Sequence, residues 1–449
     1  MFVSPARETA FQILRRVESG RSFAVDLLQR PQVSELREVD RKLTTELVMG
    51  ALRWQGELDF QIERLSGKPL RYFDPEIATI LRLGIYQIRF LEKIPKSAAV
   101  NEAVELTKAR RKRSAAGLVN AVLRKCEPPA RRPAAPDGEK LRPELLPSLR
   151  RSFPAWLLER WERNFGREAA MALAWASNAV PPTTLRVCRG ERREVQRQLT
   201  GEGVQTEPGR YSRQALTVRS GNVQSSRLLS EGGVVIQDEA SQLVAALVAP
   251  ERGQRVLDVC AAPGSKTRQL AGALGHGTLV ACDLSAPRLR TMARLVRGRV
   301  PAGVGLHMIR LEARSPLPFG CTFDPVLLDV PCSGTGTLAR NPEIKWRLQP
   351  SDLPRLAAAQ AQMLGNALAV LAPGGRLVYA TCSLEPEENE QVVETVLRAV
   401  GGFRLLTAAE LSAEFPALAV LFDPRGYFRT RPDLHSMDGF FAAVMARVP

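Results

Sequence analysis

Residues 256–267 read VLDVCAAPGSKT: a hydrophobic strand, a tight turn of small residues, and the first turn of a helix. Small side chains at Ala261, Ala262 and Gly264 let a ligand approach the backbone, and free amides at a helix start favour a negative group such as a carboxylate. The next hydrophobic run, TLVACD, ends in Asp283, where an acidic side chain can accept hydrogen bonds from both ribose hydroxyls. That placement suits a nucleoside cofactor. The plainer reading makes Gly264 a turn glycine and Asp283, with the Ser285 that follows, a helix cap.

Working outward, β-like runs at 255–260, 277–282, 305–309, 325–330 and 375–381 alternate with helix-length segments. This pattern predicts a mostly parallel sheet covered on both faces. Two of its strands end in cysteines, LLDVPCSGTG at 327–336 and LVYATCS at 377–383. Carboxyl ends of parallel strands share one edge, so Cys332, Cys382 and Asp329 are expected at the same crevice as the cofactor. Two thiols beside an acid fit a particular chemistry. Carbon 5 of cytosine is a poor nucleophile, but a thiolate added at carbon 6 creates an enamine able to attack an electrophilic methyl group. An acid such as Asp329 can hydrogen-bond or protonate nitrogen 3 as the adduct forms. The proton on carbon 5 must then leave before the thiol is expelled, and Cys332 is a candidate second base.

The rest of the chain, 449 residues in all, supports several domains. Apolar spacing through Ala10, Ile13, Leu14 and Val17, then Leu43, Leu47 and Leu52, predicts helices up to about residue 125, with the apolar run 76–91 as a central helix. A proline-rich linker is expected at 128–147, and a small α+β module after it, carrying a Trp-bearing helix and strands near 184–188 and 216–219. Sixty-three Lys and Arg against 47 Asp and Glu, a net charge of +16, favour a polyanionic partner. The basic runs KARRKR at 108–113 and RLRTMARLVRGR at 288–299 contain no acid and suit phosphates, or else are solvated helix faces. No apolar run approaches a membrane span and the first residues lack a secretory pattern, so a cytoplasmic protein with no membrane partner is expected. The seven cysteines show no CxxC spacing, and His276, His307 and His435 form no ligand pattern, so no metal is expected. Cys126, Cys188, Cys260, Cys282 and Cys321 are expected to be packed thiols. Glu387, Glu388 and Asn389 read equally well as a solvated helix start.

CAAPGSKT at 260–267, Asp283, LLDVPCSGTG, RNPEIKW at 340–346, TCSLEPEENE at 381–390 and DGFFAA at 438–443 together resemble the RsmB (Sun/Fmu) family of 16S rRNA cytosine-5 methyltransferases, from the helical start to the carboxyl terminus. The resemblance implies a multidomain chain: an all-α NusB-like RNA-binding domain over 1–127, the linker at 128–147, a small α+β middle module at 148–232, and a C-terminal α/β Rossmann-like methyltransferase domain at 233–449. It implies S-adenosyl-L-methionine as cofactor, held by Cys260, Ala261, Ala262, Pro263, Gly264, Ser265, Lys266, Asp283 and Asp329, with Glu312 where the family usually has an aspartate. Ser265 likewise stands where a second glycine is common, and RNPEIKW departs from the commoner Arg-Arg-x-Pro-Asp pattern. The catalytic residues implied are Cys382 as nucleophile, Cys332 assisting product release, and Asp329. The implied substrate is 16S rRNA, at cytosine 967, acted on by a monomer. The VVIQDEAS run at 234–241 is expected to lead into the catalytic domain and line its cleft. Two alternatives stay open: the same chemistry on tRNA or another rRNA site, and a noncatalytic RNA-binding assembly factor.

Overall fold

The computed structural model describes residues 3–20, 22–129 and 142–448. Residues 130–141 of the expected linker lie outside the described residues, and its last part turns into a short helix, Leu146–Arg151. Chain contacts divide the molecule into two units, one of residues 1–180 with 338–348, the other of 181–337 with 349–449.

The first unit is helical. The predicted central helix is Pro75–Phe90, started by Asp74, whose side chain accepts from Glu76 N, and buried from Ile77 to Ile88 on nearly all sides. Helices Pro5–Glu18, Glu38–Arg53, Gln55–Ser66, Lys96–Ala109 and Ala116–Lys125 pack around it. Helices Ala155–Phe165 and Arg167–Asn178 also belong to this unit. Most of the KARRKR run is internally neutralised: Lys108 pairs with Glu105 at 2.8 Å, Lys112 with Asp74 at 2.6 Å, and Arg110 with Glu8.

The RNPEIKW segment folds into this helical unit, although the strands before and after it in sequence belong to the other. Helix ends leave carbonyls unpaired, and cationic side chains complement that negative pole. Lys345, fully buried, donates to Arg53 O and to Asn178 Oδ1, each at 2.8 Å, and lies 3.9 Å from the centre of the Phe153 ring. Trp346 Nε1 donates to Leu52 O at 3.2 Å, and Arg347 donates to Val17 O at 2.6 Å. Burial, and after it the charge of Arg53, pulls the Lys345 pKa well below the ordinary lysine value.

The second unit opens with a small antiparallel sheet of β1 (Thr184–Val187), β2 (Gln205–Pro208), β3 (Ala215–Ser220) and β4 (Val234–Ile236), in the order β2-β3-β1-β4. Val195 and Leu199 of helix Arg192–Gly201 pack on its Leu185, Val187, Leu216 and Val234. VVIQDEAS is thus the edge strand β4 followed by the cap of helix Glu239–Ala246, where Asp238 accepts from Ala240 N at 2.9 Å.

The large sheet contains β5 (Arg255–Val259), β6 (Gly277–Asp283), β7 (Val304–Arg310), β8 (Phe323–Asp329), β9 (Leu371–Thr381), β10 (Phe403–Leu405), β11 (Phe428–Arg429) and β12 (Phe441–Arg447). Its order is β10-β12-β9-β8-β5-β6-β7, with β11 beside β12. The strands β5 to β9 are parallel, while β12 runs antiparallel to β9. The five predicted strands therefore form the parallel part. Alternate residues feed two cores: Leu257, Val259, Leu328 and Tyr379 meet helices Asp352–Ala369 and Glu390–Ala399, while Val256, Leu327, Val378 and Ala380 meet Glu239–Ala246 and Ser265–Leu274. Among the described residues no helix is long and apolar enough to cross a membrane.

Candidate active site

The strand after β5 in sequence lies on one side of it and β8 on the other, so the connections diverge there and a crevice opens at their carboxyl ends. The turn after β5 enters it. Cys260 takes φ 65° and Gly264 φ 101°, and a non-glycine residue in that region stores strain of about 1–3 kcal/mol, a cost that recurs at ligand sites. A Cβ on Gly264 would lie 2.7 Å from Met292 Cγ, so the helix start is brought close to helix Ala286–Val296. No side chain caps helix Ser265–Leu274 at Gly264, which leaves its first amides available to an anion.

Asp283, 4% exposed, ends β6; it accepts from Ala262 N at 3.2 Å and, at the other oxygen, from Ser285 N at 2.9 Å. It is therefore both a carboxylate facing the turn and part of a helix start. Arg288, in the second basic run, reaches 3.3 Å from Asp283 and donates to Ala262 O. Glu312 follows β7 and is engaged by Arg314 at 2.8 Å, whose hydrogen bond lowers its pKa. At the end of β5, Asp258 accepts from Thr267 Oγ1 at 2.6 Å, while its Oδ1 is buried without a partner. Burial above all, with Asp329 adding to it, pushes this carboxyl up to about 7. The free amides, the two strand-end carboxylates and the orphaned oxygen form a donor and acceptor set that fits an amino-acid nucleoside such as S-adenosylmethionine.

The reacting groups lie along the same edge. Cys332 follows β8 and Cys382 follows β9, with their sulfurs 3.4 Å apart. The contact with Cys382, and then burial, raise the Cys332 thiol well above its usual pKa. Lys266 Nζ is 2.8 Å from Asp329 Oδ2 and 5.2 Å from the Phe440 ring centre. Burial works against this ammonium, but Asp329 and, further out, Cys382 hold its pKa above the ordinary lysine value. Cys332, Cys382, Asp329 and Lys266 are therefore brought together. Of the other five cysteines, Cys126 and Cys282 are buried, whereas Cys321 is exposed and Cys188 and Cys260 are half-buried, so the packed reading fails at Cys321.

Beneath the two thiols lies a polar network that sequence reading missed. Glu388 is fully buried and accepts from Ser333 N at 2.8 Å, Gln360 Nε2 at 2.9 Å and Ser383 Oγ at 2.6 Å. Ser333 Oγ meets Ser383 Oγ at 2.9 Å, and Asn389 Nδ2 donates to Ser383 O at 2.9 Å. The solvated reading of Glu388 and Asn389 is thereby overturned. The one available signal was the serine that follows each cysteine. Gly336 N donates to Cys382 O at 2.9 Å and Gly439 N to Gly336 O at 2.8 Å, which ties DGFF to both cysteine loops.

Comparison with known proteins agrees with this geometry. Family models match the 16S rRNA methyltransferase RsmB/F over residues 245–446, the NusB family over 4–128 and the RsmF/B-like ferredoxin-like domain over 153–224. The ribosomal RNA small subunit methyltransferase B of Pseudomonas syringae is 36% identical over 98% of this chain and 97% of its own length. That of Pseudomonas putida is 37% identical over 90% of this chain and 91% of its own. The crystal structure of PH0851 superposes with a TM-score of 0.81 at 25% identity, covering 99% of both chains. With a NusB-like helical domain, a small ferredoxin-like sheet and a Rossmann-like sheet whose edge gathers two cysteines, the chain belongs to the ribosomal RNA small subunit methyltransferase B family.

Proposed function

We propose that this rRNA methyltransferase methylates carbon 5 of a cytosine in 16S rRNA, at cytosine 967, through a covalent bond from Cys382 to the base. The observation that carries this reading is the pair of sulfurs 3.4 Å apart at the edge that also holds Asp329 and Lys266. S-adenosylmethionine is the methyl donor, and its sulfonium supplies an electrophilic methyl group. The turn 260–266 and Asp283 hold it, with Glu312 beyond β7 and Asp329 at the crevice.

The target base leaves its stack to reach the crevice. The Cys332 thiol lies 3.4 Å from the Cys382 sulfur and so keeps the attacking atom in place. As Cys382 gives its proton to water, its sulfur bonds to carbon 6 and the displaced electron pair moves onto nitrogen 3, which takes a proton from Asp329 relayed from the Lys266 ammonium 2.8 Å away. Carbon 5 thereby becomes nucleophilic and takes the methyl group. Water takes the carbon 5 proton, the freed electron pair re-forms the carbon 5–carbon 6 double bond, and the carbon 6–sulfur pair leaves with Cys382, beside the Cys332 thiol. We further propose a cytoplasmic monomer, divided at 1–127, 128–147, 148–232 and 233–449.

The test is incubation with unmodified 16S rRNA and with a 5-fluorocytosine transcript. Expected are 5-methylcytosine in the first and a protein–RNA linkage through Cys382 in the second. Cys382→Ala abolishes both, whereas Cys332→Ala retains attack and accumulates linked protein on the natural substrate. Absence of 5-methylcytosine from cofactor-bound protein overturns the reading.

A further inference from the structure

On the far side of the helix that begins at the cofactor turn lies a cavity of about 710 Å³. Its walls come from the end of β1, the loop before β3, helix Ser265–Leu274 and the segment after helix Ala286–Val296. Arg186, Arg189, Arg213, Arg268 and Arg299 all line it. Arg268 is 6% exposed; one of its terminal nitrogens donates to Gly232 O, and the other, Nη1, is buried without a partner. Arg186, 2% exposed, is fixed by Gln237 at 2.7 Å and Ser265 O at 3.1 Å. Arg189 donates to Gly298 O at 3.2 Å and Arg299 to Leu295 O at 3.1 Å, carbonyls that neutralise no charge. Among the described residues of the lining the one carboxylate, Glu414, is already held by Arg376 at 2.6 and 2.7 Å.

Crowded guanidinium groups repel one another, and burying one without a counter-charge is costly. Burial first, and then the nearby charges of Arg299 and Arg189 against a partial offset from Cys188, lower the Arg268 pKa. An anion in the cavity removes both costs, and the fork geometry of arginine suits phosphate oxygens.

We infer that this arginine-lined cavity is a phosphate-binding subsite that seats a backbone phosphate of the RNA substrate. The inference rests on the proposed RNA-methylating function for the identity of the ligand, while the anion chemistry comes from the cavity alone. Its place in the fold gives it a further consequence. Arg186 bonds to Ser265 O at the start of the cofactor helix, so a seated phosphate is mechanically linked to the turn that holds the methyl donor.

The test uses the full chain, with Arg189→Ala/Arg299→Ala and, as a surface charge reversal, Arg213→Glu. Binding of unmodified 16S rRNA is measured across salt concentrations, S-adenosylmethionine binding is measured by calorimetry, and thermal stability is followed with and without inorganic phosphate. Each single-stranded phosphate contact contributes about 0.7 to the slope of log affinity against log salt. The double variant, which removes two of the arginines around that one phosphate, is therefore expected to lose about 0.7 from that slope and about fivefold in RNA affinity at 0.1 M salt, with cofactor affinity unchanged. Arg213→Glu is expected to weaken RNA binding in the same direction. Unchanged slope and affinity in both variants overturn the inference. Stabilisation of wild type by inorganic phosphate, lost in the double variant, together with unchanged RNA binding would assign the cavity to a free anion and overturn the RNA assignment. Failure of wild-type protein to bind rRNA at all would instead overturn the proposed function, and phosphate stabilisation would still decide whether the cavity is an anion site.

Discussion

Replacing Glu388 tests whether the polar network holds the two cysteine loops in register. Ala at this position strands Ser333 N and one N–H of Gln360 Nε2, whose other N–H keeps Pro331 O at 3.0 Å, while the Ser383 hydroxyl keeps Ser333 Oγ as a partner at 2.9 Å. Each stranded N–H costs about 1–3 kcal/mol, so Glu388→Ala is expected to lose about 2–6 kcal/mol. Gln keeps an oxygen for both N–H groups and turns its amide toward Ser383 Oγ, losing only the charge assistance, about 1–2 kcal/mol. All five tryptophans, Trp54, Trp156, Trp161, Trp175 and Trp346, belong to the helical unit, so their fluorescence follows that unit alone. Calorimetry is expected to show a transition lowered by about 10 °C in the Ala variant that tryptophan fluorescence does not follow, with the Gln variant in between. Because Ser333 N adjoins Cys332, a displacement on the order of 1 Å is expected to cost about a hundredfold in methyl transfer. Equal stability of Ala, Gln and wild type would refute the network's role.

The buried Asp258 predicts a pH signature. Its folded pKa of about 7 exceeds the unfolded value of about 3.9, so ionisation costs nothing below about pH 4 and increasingly more toward pH 7, reaching about 4 kcal/mol. Denaturation of Asp258→Asn and wild type is therefore expected to show a stability difference that moves toward the variant by about 4 kcal/mol between pH 4 and pH 8; a difference constant with pH rejects this. At Gly336 an added Cβ would lie 2.0 Å from Gly439 O and 2.9 Å from Cys382 O, both backbone atoms that cannot swing away. Gly336→Ala is expected to cost about 1–3 kcal/mol and most of the methyl transfer, with cofactor binding measured by calorimetry retained; full activity would show that the loops move apart freely.

The parts of this fold that were legible in sequence are those whose signal is local. A parallel strand buried on both faces is a continuous apolar run, so β5 to β9 announce themselves, and residues placed just after such runs share an edge whatever the connections do. Cys332, Cys382, Asp283 and Asp329 were readable for that reason. Glu388 was not, because an acidic helix start is favoured by the helix pole whether or not it is solvated. Its burial is decided by Ser333 and Gln360, which come from other segments. Lys345 hides in the same way: nothing around IKW shows that its partners are the carbonyl of Arg53 and the amide of Asn178. In KARRKR the converse holds: Arg110 and Lys112 pair with Glu8 and Asp74, acids far away in sequence that the run itself does not show. A basic run alone therefore does not show how much of its charge stays unpaired once the chain folds. A cavity is the stronger indicator, because there the structure shows which guanidinium groups remain without a carboxylate. On that criterion the cavity draws on one end of the second basic run, Arg299, and on single arginines, 186, 189, 213 and 268, which only the fold assembles around it.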